Sequence, residues 1–381
     1  MMSPKSQVLE AVSLVVVSRR AIVIVLDGCG AGAAPDAADY GDGHQPSTLA
    51  NVWHACGGLK TPILEKVGWW AAAGIGEAPE GCFGRLKPMG CGKDSVTGHW
   101  EMMGARVTTP FPTYPDGFPI SLVKEFERRI GTQTLANCPA SGTEIIARLG
   151  ELHVETGFPI LYTSADSVFQ VAAHEDVVPI ETLYEWCRIG RELCDGENLV
   201  QRVIARPFVG SPGGWKRTER RKDFPVVPPL CLVDELAPIH GIGVVPELFG
   251  GRGFLVLART QSNKEHAKAL FEALKTGHPF IFANFEDFDM LFGHRSDPIG
   301  FGNCLEEFDS FLSDLLSRLN DEDLLILTSD HGNDPTDVST DHTREYVPFV
   351  KVGRSVAAQN LGDQDGFEVV GREVQAWLKA R

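Results

Sequence analysis

One apolar run constrains the fold more than any other feature of this sequence. Residues 21–26 (AIVIVL) end abruptly at Asp27, and a glycine-rich turn follows. Such a run is typical of a strand buried on both faces, as in a parallel sheet flanked by helices. Late in the chain, 280–283 (FIFA) and 324–327 (LLIL) predict two more strands, and apolar residues at 305, 308, 312, 315 and 319 predict a helix between them. The sequence therefore predicts an α/β fold with a mostly parallel sheet flanked by helices.

Acidic residues follow these predicted strands. Asp27 and Asp330 come at the carboxyl ends of two of them, and Asp289 follows the third by a few residues. Ligands of open α/β sheets bind at that edge. We therefore expect the three carboxylates to lie close together.

The middle of the chain has a different character, and a length of 381 residues makes two domains the default expectation. The region 109–223 has proline-rich turns, two short helical patterns, strand-like stretches at 159–163 and 202–205, and a basic loop at 211–217. We interpret it as a smaller α/β cap domain inserted into a core of residues 19–108 and 224–381, because residues of the types that bind metals lie on both sides of it. Residues 1–18 are expected to be a poorly ordered extension.

Composition excludes several classes of function. The net charge of −16 argues against nucleic-acid binding, which needs a basic surface, and no apolar stretch is long enough to span a membrane. The nine cysteines are scattered singly, without the spacing of disulfide frameworks or zinc-thiolate sites. We predict a cytoplasmic protein and infer no protein partner; the net charge does not exclude anionic small substrates, because local arginines or metals can reverse the field within a cleft.

Three short polar segments gather aspartates and histidines: 287–294 (DFDMLFGH), 329–334 (SDHGND) and 340–345 (TDHTRE). Carboxylates and imidazoles are the ligands preferred by zinc, manganese and related divalent ions. A single Asp-His pair is more often a cap or a surface pair. Three of them, together with Asp27 after a buried strand, favour a metal site.

Segment 92–101 (GKDSVTGHWE) holds two hydroxyls, Ser95 and Thr97. It is not a phosphate-binding P-loop, because Lys87 and Asp94 stand where that motif needs a glycine and a hydroxyl. A polar loop with a helix cap at Ser95 or Thr97 remains an alternative. Near a divalent metal, however, either hydroxyl becomes a useful nucleophile.

The glycines of 28–33 (GCGAGA) also fit a loosened dinucleotide-binding pattern. That motif expects an acidic residue ending a second strand about 20 positions further on. Residues 43–48 (GHQPST) instead predict a turn that enters a helix. The glycines more plausibly let the backbone turn sharply beside Asp27.

These segments, taken together, resemble the phosphopentomutases of the alkaline phosphatase superfamily. The resemblance extends from about residue 20 to 348 and rests on 25–27 (VLD), 34–37 (APDA), 92–101, 289–295, 330–335 and 340–348. Three stretches of the predicted cap also match: 139–144 (PASGTE), 162–167 (YTSADS) and 202–208 (RVIARPF).

The resemblance implies an alkaline-phosphatase-like core that carries two manganese ions, with magnesium, cobalt or zinc as possible substitutes. Matching motifs assign one ion to Asp27, Asp330 and His331, and the other to Asp289, His294 and His342. The nucleophile aligns with Ser95, where threonine is usual in the family, and Thr97 is the alternative. In the cap, Asp166 would accept sugar hydroxyls, while Arg202 and Arg206 would bind the distal phosphate.

The implied reaction interconverts ribose 1-phosphate and ribose 5-phosphate, and their 2-deoxy forms, through a phosphorylated serine and a 1,5-bisphosphate. A sugar bisphosphate such as glucose 1,6-bisphosphate would act as activator. The implied metabolic setting is nucleoside salvage and pentose phosphate metabolism.

The sequence departs from the family pattern at two positions. Val244, after 241–243 (GIG), and Gln261 replace usual lysines, so two cations are lost near expected phosphate positions. Compensation by Arg252, Arg259 or the basic residues Lys216 and Arg217 is one interpretation, and altered substrate choice or weakened activity is the other. Competing hypotheses are a related phosphatase, a cofactor-independent phosphoglycerate mutase-like enzyme, and a non-enzymatic descendant.

Overall fold

The computed structural model describes residues 19–42, 45–78, 80–164, 167–258 and 260–380, so the predicted extension 1–18 lies outside the described residues. The chain forms two compact units. The first combines the residues up to Thr108 with those from Pro228 onward, and the second is Thr109–Val227. The second unit therefore begins where the cap was expected to begin and ends at Val227 rather than at 223.

The secondary structure alternates strands and helices along most of the chain. The strands are β1 (Arg20–Leu26), β2 (Cys82–Lys87), β3 (Leu135–Pro139), β4 (Ile160–Thr163), β5 (Val168–His174), β6 (Arg202–Val209), β7 (Lys216–Arg217), β8 (Lys222–Pro225), β9 (Ile239–Ile242), β10 (Phe254–Ala258), β11 (Phe280–Phe285), β12 (Asp323–Thr328), β13 (Val347–Val352) and β14 (Gln359–Asp365). The helices are α1 (Thr48–Ala55), α2 (Pro62–Val67), α3 (Trp69–Ala72), α4 (Ser95–Met102), α5 (Ile120–Ile130), α6 (Gly142–Thr156), α7 (Ile180–Leu193), α8 (Leu232–Leu236), α9 (Val245–Leu248), α10 (Asn263–Ala273), α11 (Pro298–Leu316) and α12 (Glu368–Lys379).

An eight-stranded sheet organises the first unit, in the order β10-β9-β11-β1-β12-β13-β2-β14. The five strands from β10 to β12 are parallel, and β13 runs antiparallel to both of its neighbours. Strand β1 lies between two parallel neighbours, β11 and β12, and its residues from Ala21 to Leu26 have no exposed surface. This confirms the predicted mostly parallel sheet and its three central strands.

Helices cover both faces of this sheet. On one face, α1, α2, α3, α10 and α11 enclose a core that includes Ile24, Phe285 and Leu312. Helix α11, predicted from its leucines, begins at a cap where the Asp297 side chain accepts the Gly300 N–H at 2.8 Å. It ends at Leu316, one turn earlier than the predicted pattern. Helices α9 and α12 pack against strands of the same sheet.

The second unit is itself an α/β structure. Its sheet has the order β3-β4-β5-β6-β7, with β8 also paired to β6. One apolar cluster lies against α5 and α7 and includes Phe126, Phe169 and Val203. A second, with Ile145 and Tyr162, lies against α6. The sequence showed two short helical patterns here, whereas the described residues of this unit form three α-helices, α5, α6 and α7.

All nine cysteines are free thiols. Within the described part of the chain, every helix is too short or too polar to cross a bilayer.

Candidate active site and metal centre

The three predicted aspartates meet at one edge of the sheet of the first unit. Asp27 follows β1 and Asp330 follows β12, and these parallel strands are neighbours. Asp289 lies in a π-helical turn, Phe288–Phe292, shortly after β11, the other neighbour of β1. Adjacent parallel strands end at the same edge, which is why residues 27, 289 and 330 converge although they are far apart in sequence.

Asp27, Asp330 and His331 form one group of possible metal ligands, with ligand atoms within 4.8 Å of one another. The Nε2 atom of His331 lies 3.2 Å from Asp27 Oδ1 and 3.5 Å from Asp330 Oδ2. Its Nδ1 lies 3.1 Å from the carbonyl oxygen of Gly332. A carbonyl at Nδ1 favours the tautomer that leaves the Nε2 lone pair for a metal.

A second group consists of Asp289, His331 and His342. The structure thus places His331 in both groups, whereas the sequence motifs assign His294 to the second one. His294 is nevertheless adjacent, with Nε2 3.2 Å from Asp289 Oδ2. Its Nδ1 lies 2.7 Å from the carbonyl oxygen of Thr340, which orients the ring in the same way as that of His331.

The electrostatics of the site are those of crowded carboxylates and imidazoles. Burial and the neighbouring Asp330 raise the pKa of Asp27. Burial opposes ionisation of Asp330 as well, but His331 and His99 outweigh it and lower its pKa to about 2. Asp289 raises the pKa of His294 to about 9. Because the pKa values of Asp27 and His294 are raised, a cation that binds here would compete with protons for these atoms.

The residues fit a divalent cation. Among the described residues, three buried atoms of these groups have no hydrogen-bond partner, namely Asp27 Oδ1, Asp330 Oδ2 and His342 Nε2. Unsatisfied buried acceptors are costly, and a bound metal would satisfy all three. The mixture of oxygen and imidazole donors suits manganese, zinc and related ions.

Ser95 is the first residue of α4. The side chain of Asp94 caps the helix by accepting the N–H groups of Val96 and Thr97 at 3.0 and 3.1 Å. This cap fixes the direction in which α4 begins. It leaves Ser95 Oγ 3.1 Å from His331 Nε2, beside the residue that the two ligand groups share.

Thr97 has a different environment. Its hydroxyl is buried and lies 3.1 Å from the carbonyl oxygen and 3.0 Å from the carboxylate of Asp94, as part of a capping box. The alternative of a helix cap at Ser95 or Thr97 therefore does not hold in detail, since Asp94 is the cap and Thr97 only supports it. Of the two hydroxyls, Ser95 is the one that faces the metal groups.

Several residues around the ligands were missed by the sequence reasoning. Asn284 donates to Asp27, and Asn333 donates to Asp289. His99 is buried, with Nδ1 3.3 Å from Asp330 Oδ2. Asn284 could have been found as a polar residue inside an apolar strand.

Glu345, also missed, is a fully enclosed carboxylate. It accepts hydrogen bonds from Gly32 N, Thr48 N, Thr48 Oγ1 and Thr343 Oγ1. Burial raises its pKa to about 7 although all four donors oppose that shift. It ties the turn after Asp27 to the segment that carries His342. A carboxylate three residues beyond a predicted ligand gave no distinguishing signal in the sequence.

The predicted sugar-phosphate residues belong to the second unit. Arg202 and Arg206 lie at alternate positions of β6, so their side chains leave the same face of its sheet. Arg206 Nε donates to Gln170 at 3.0 Å, and neighbouring Arg221 helps burial to lower the pKa of Arg206. Asp166 lies outside the described residues.

The two residues that depart from the family pattern, Val244 and Gln261, each donate a backbone hydrogen bond to a glutamate. The backbone N–H of Val244 donates to Glu286 Oε1 at 2.6 Å, and that of Gln261 donates to Glu265 at 2.9 Å. Arg252, one of the cations considered as compensation, forms an ion pair with Asp234 at 2.6 Å. Arg259 lies outside the described residues, and Lys216 and Arg217 form the exposed strand β7 of the second unit.

Comparisons with known proteins decide the family. A model of the metalloenzyme superfamily matches residues 249–379. The phosphopentomutase of Dictyoglomus thermophilum is 50% identical over 343 residues, which cover 87% of each chain. The phosphopentomutase of Deinococcus radiodurans is 44% identical over 373 residues, covering 94% of this chain and 96% of its own. The chain belongs to the phosphopentomutase family.

Membership of the phosphopentomutase family confirms the resemblance to that family and the assignment to the phosphomutases, which are isomerase-class enzymes. A solved structure, that of the PH0037 protein from Pyrococcus horikoshii, has a TM-score of 0.53 at 16% identity, covering 95% of this chain and 98% of that one. At this identity the likeness concerns the fold alone.

Proposed function

We propose that this member of the phosphopentomutase family interconverts ribose 1-phosphate and ribose 5-phosphate, and their 2-deoxy forms, with Ser95 as the phosphoryl carrier. The observation that carries the proposal is the position of Ser95 Oγ, 3.1 Å from the imidazole that joins the two ligand groups. A hydroxyl in this position can be held as an alkoxide, the form in which it is nucleophilic.

The residues that would hold two divalent ions, which we expect to be manganese, are Asp27, Asp330 and His331 for one, and Asp289, His342 and His294 for the other. Ions bound there would neutralise charge on the nonbridging phosphate oxygens and stabilise the Ser95 alkoxide. Three carboxylates against two dications leave one net positive charge. That balance favours the anionic phosphoryl group on Ser95 in a protein whose net charge is −16.

The chain's own residues contribute positioning. Ser95 opens the eight-residue helix α4, so the positive end of the helix dipole favours a phosphoryl group on Oγ. Asp94 fixes the start of the helix. His99, whose Nδ1 lies 2.8 Å from the Ser95 carbonyl oxygen and 3.3 Å from Asp330, links the nucleophile to the ligand loop.

The exchange conserves phosphate in two steps. In the first, the Ser95 Oγ–P bond breaks, a sugar hydroxyl forms the new O–P bond, and its proton replaces the phosphoryl group on Oγ. The product is a 1,5-bisphosphate. In the second, Ser95 takes the other phosphate and the proton returns to the sugar oxygen. A sugar bisphosphate such as glucose 1,6-bisphosphate is then needed only to phosphorylate Ser95 initially.

We propose further that the second unit recognises the sugar phosphate. Arg202 and Arg206 leave one face of its sheet, and two guanidinium groups provide the planar donors that match phosphate oxygens. Asp166 is proposed to accept the sugar hydroxyls. The cytoplasmic location stays a prediction.

Phosphorus NMR on purified protein tests the proposal. The sample contains Mn²⁺, ribose 1-phosphate and a trace of glucose 1,6-bisphosphate. Appearance of ribose 5-phosphate without inorganic phosphate is the expected result. Stoichiometric release of inorganic phosphate would indicate a phosphatase. Turnover of 3-phosphoglycerate, with none of the pentose phosphate, would indicate a phosphoglycerate mutase-like enzyme.

A further inference from the structure

Two buried asparagines each hold one metal-group aspartate. Asn284 Nδ2 donates to Asp27 Oδ2 at 2.6 Å, and Asn333 Nδ2 donates to Asp289 Oδ1 at 2.6 Å. Both asparagines have no exposed surface. The two aspartates belong to different ligand groups, so each group has an amide of its own.

The orientation of each amide follows from chemistry. An ionised carboxylate only accepts hydrogen bonds, so the NH₂ end of each asparagine must face its aspartate. Within the described residues, the Oδ1 atoms of Asn284 and Asn333 are both buried without a hydrogen-bond partner. A leucine has a similar shape and would avoid that cost. Packing alone therefore does not account for the asparagines, whereas the donated N–H does.

Backbone geometry fixes both amides. Asn284 pairs with Val25 in the β11–β1 register, so its side chain leaves the sheet on the same face as that of Asp27. Asn333 is enclosed by two glycines. A Cβ atom on Gly28 would lie 3.1 Å from Asn333 Cβ, and one on Gly293 would lie 2.6 Å from Asn333 Cγ.

The hydrogen bond from Asn284 gives the two carboxylate oxygens of Asp27 different neighbours. Oδ2 is occupied by Asn284, while Oδ1 is the buried atom that faces His331 at 3.2 Å. At Asp289, Oδ1 accepts the Asn333 N–H and also lies 3.4 Å from His342 Nε2, while Oδ2 faces His294 at 3.2 Å. In both cases the hydrogen bond restrains rotation of the carboxylate, so its oxygens keep their positions facing the imidazoles.

We infer that Asn284 and Asn333 are positioning residues, each of which sets the affinity of one metal group by fixing its aspartate. The inference rests on the two-metal site of the proposed function but not on the substrate. Removing an outer hydrogen-bond partner of a metal ligand typically lowers metal affinity by about 10–100-fold. Because each asparagine serves one group, the loss is selective.

The experiment is titration calorimetry of chelator-treated full-length protein with Mn²⁺, without substrate. Asn284→Leu and Asn333→Leu are each expected to keep one ion at wild-type affinity and to bind the second about 10–100-fold more weakly. The double variant should bind both weakly. Asn51→Leu is the matched control, since Asn51 also donates to a carboxylate, that of Asp334, at 2.5 Å, but outside the ligand groups. It should keep both affinities.

A further pair of variants assigns the sites. In an Asp27→Asn background, adding Asn284→Leu should change the remaining metal affinity little, whereas adding Asn333→Leu should lower it. Wild-type affinities in both single variants, or equal weakening of both ions in each, would overturn the inference. Asn284→Ala and Asn333→Ala provide the same test if either leucine variant fails to fold. Sugar-phosphate turnover is not used, so failure of the mutase assignment would leave this result intact.

Discussion

Gly98 lies directly against Asp330. A Cβ atom at position 98 would collide with the carbonyl oxygen of Asp330, so α4 approaches the ligand loop more closely than any other residue would permit. This approach is what brings Ser95, one turn earlier, to His331. The packing of one helix against one loop thus assembles nucleophile and metal groups from segments more than 200 residues apart in sequence.

Gly98→Ala should therefore separate the nucleophile from the metal groups. Because the added methyl meets backbone rather than a flexible side chain, α4 must move, and we expect turnover to fall at least about 100-fold. Manganese affinity should stay within a few-fold of wild type. Gly214→Ala, where the nearest atom to the new Cβ is 3.7 Å away, is the control. Unchanged turnover in Gly98→Ala would contradict the positioning role.

Ser95→Ala should abolish the phosphoenzyme while metal binding persists. Intact-protein mass spectrometry after incubation with glucose 1,6-bisphosphate measures the added phosphoryl group. Thr97→Val is the comparison: it loses hydrogen bonds of the capping box, which costs about 1 kcal/mol, but keeps the Ser95 hydroxyl. A normal phosphoenzyme in Ser95→Ala, together with its loss in Thr97→Val, would transfer the nucleophile role to Thr97.

Removal of metal should lower thermal stability as well as activity. Without cations, the carboxylates of Asp27, Asp289 and Asp330 remain crowded in a buried site. At a free Mn²⁺ concentration 100-fold above the dissociation constant, one site stabilises the fold by about 2.7 kcal/mol. Calorimetry with EDTA, and then with excess Mn²⁺, measures the change. An identical melting temperature in both conditions would show that these residues do not bind the ion.

Glu286→Gln should stabilise the metal-free protein at alkaline pH. Burial, Asp27 and Glu247 raise the pKa of Glu286 to about 7, with the Val244 N–H and His99 opposing. The folded state therefore binds this proton more tightly than the unfolded state does. The contribution of this proton to stability is fully present below pH 4.5 and is lost as the pH rises through 7. Glutamine can still accept the Val244 N–H and never ionises. We expect the substitution to raise the free energy of unfolding by about 1–3 kcal/mol at pH 8.

Denaturant unfolding at pH 5 and pH 8 measures this difference. The gain should be small at pH 5, because most of the Glu286 carboxyl is then protonated in the folded protein. Glu151→Gln, which changes an exposed carboxyl on α6, is the control and should leave both values unaltered. Equal gains at both pH values would mean that ionisation is not the cause.

Arg206→Ala should raise the Michaelis constant for the pentose phosphate. Loss of charge-assisted hydrogen bonds to a phosphate corresponds to about a 10–100-fold rise in the Michaelis constant, whereas kcat should change much less. The Michaelis constant of Arg206→Lys should lie between those of the wild type and Arg206→Ala, since lysine keeps the positive charge but lacks the planar guanidinium group. Arg188→Ala, which removes an exposed ion pair with Glu185 on α7, is the control. A lowered kcat with an unchanged Michaelis constant would exclude a binding role.

Much of this molecule was determined by the sequence alone. The apolar run at 21–26 is typical of a strand buried on both faces, as in a parallel sheet covered by helices, and the structure has that strand. Residues that follow parallel strands share an edge, so the convergence of Asp27, Asp289 and Asp330 follows from local patterns. The long motifs likewise sufficed to identify the family.

Other features were decided only by tertiary structure, because they depend on contacts between distant segments. The motifs assign His331 to one ligand group only. Its position between the two groups depends on how the loop after β12 folds back. The choice of Ser95 over Thr97 depends on the Asp94 cap and on the absence of a side chain at Gly98. Asn284, Asn333 and Glu345 act through hydrogen bonds to residues far away in sequence, and the composition of their own segments does not encode those partners.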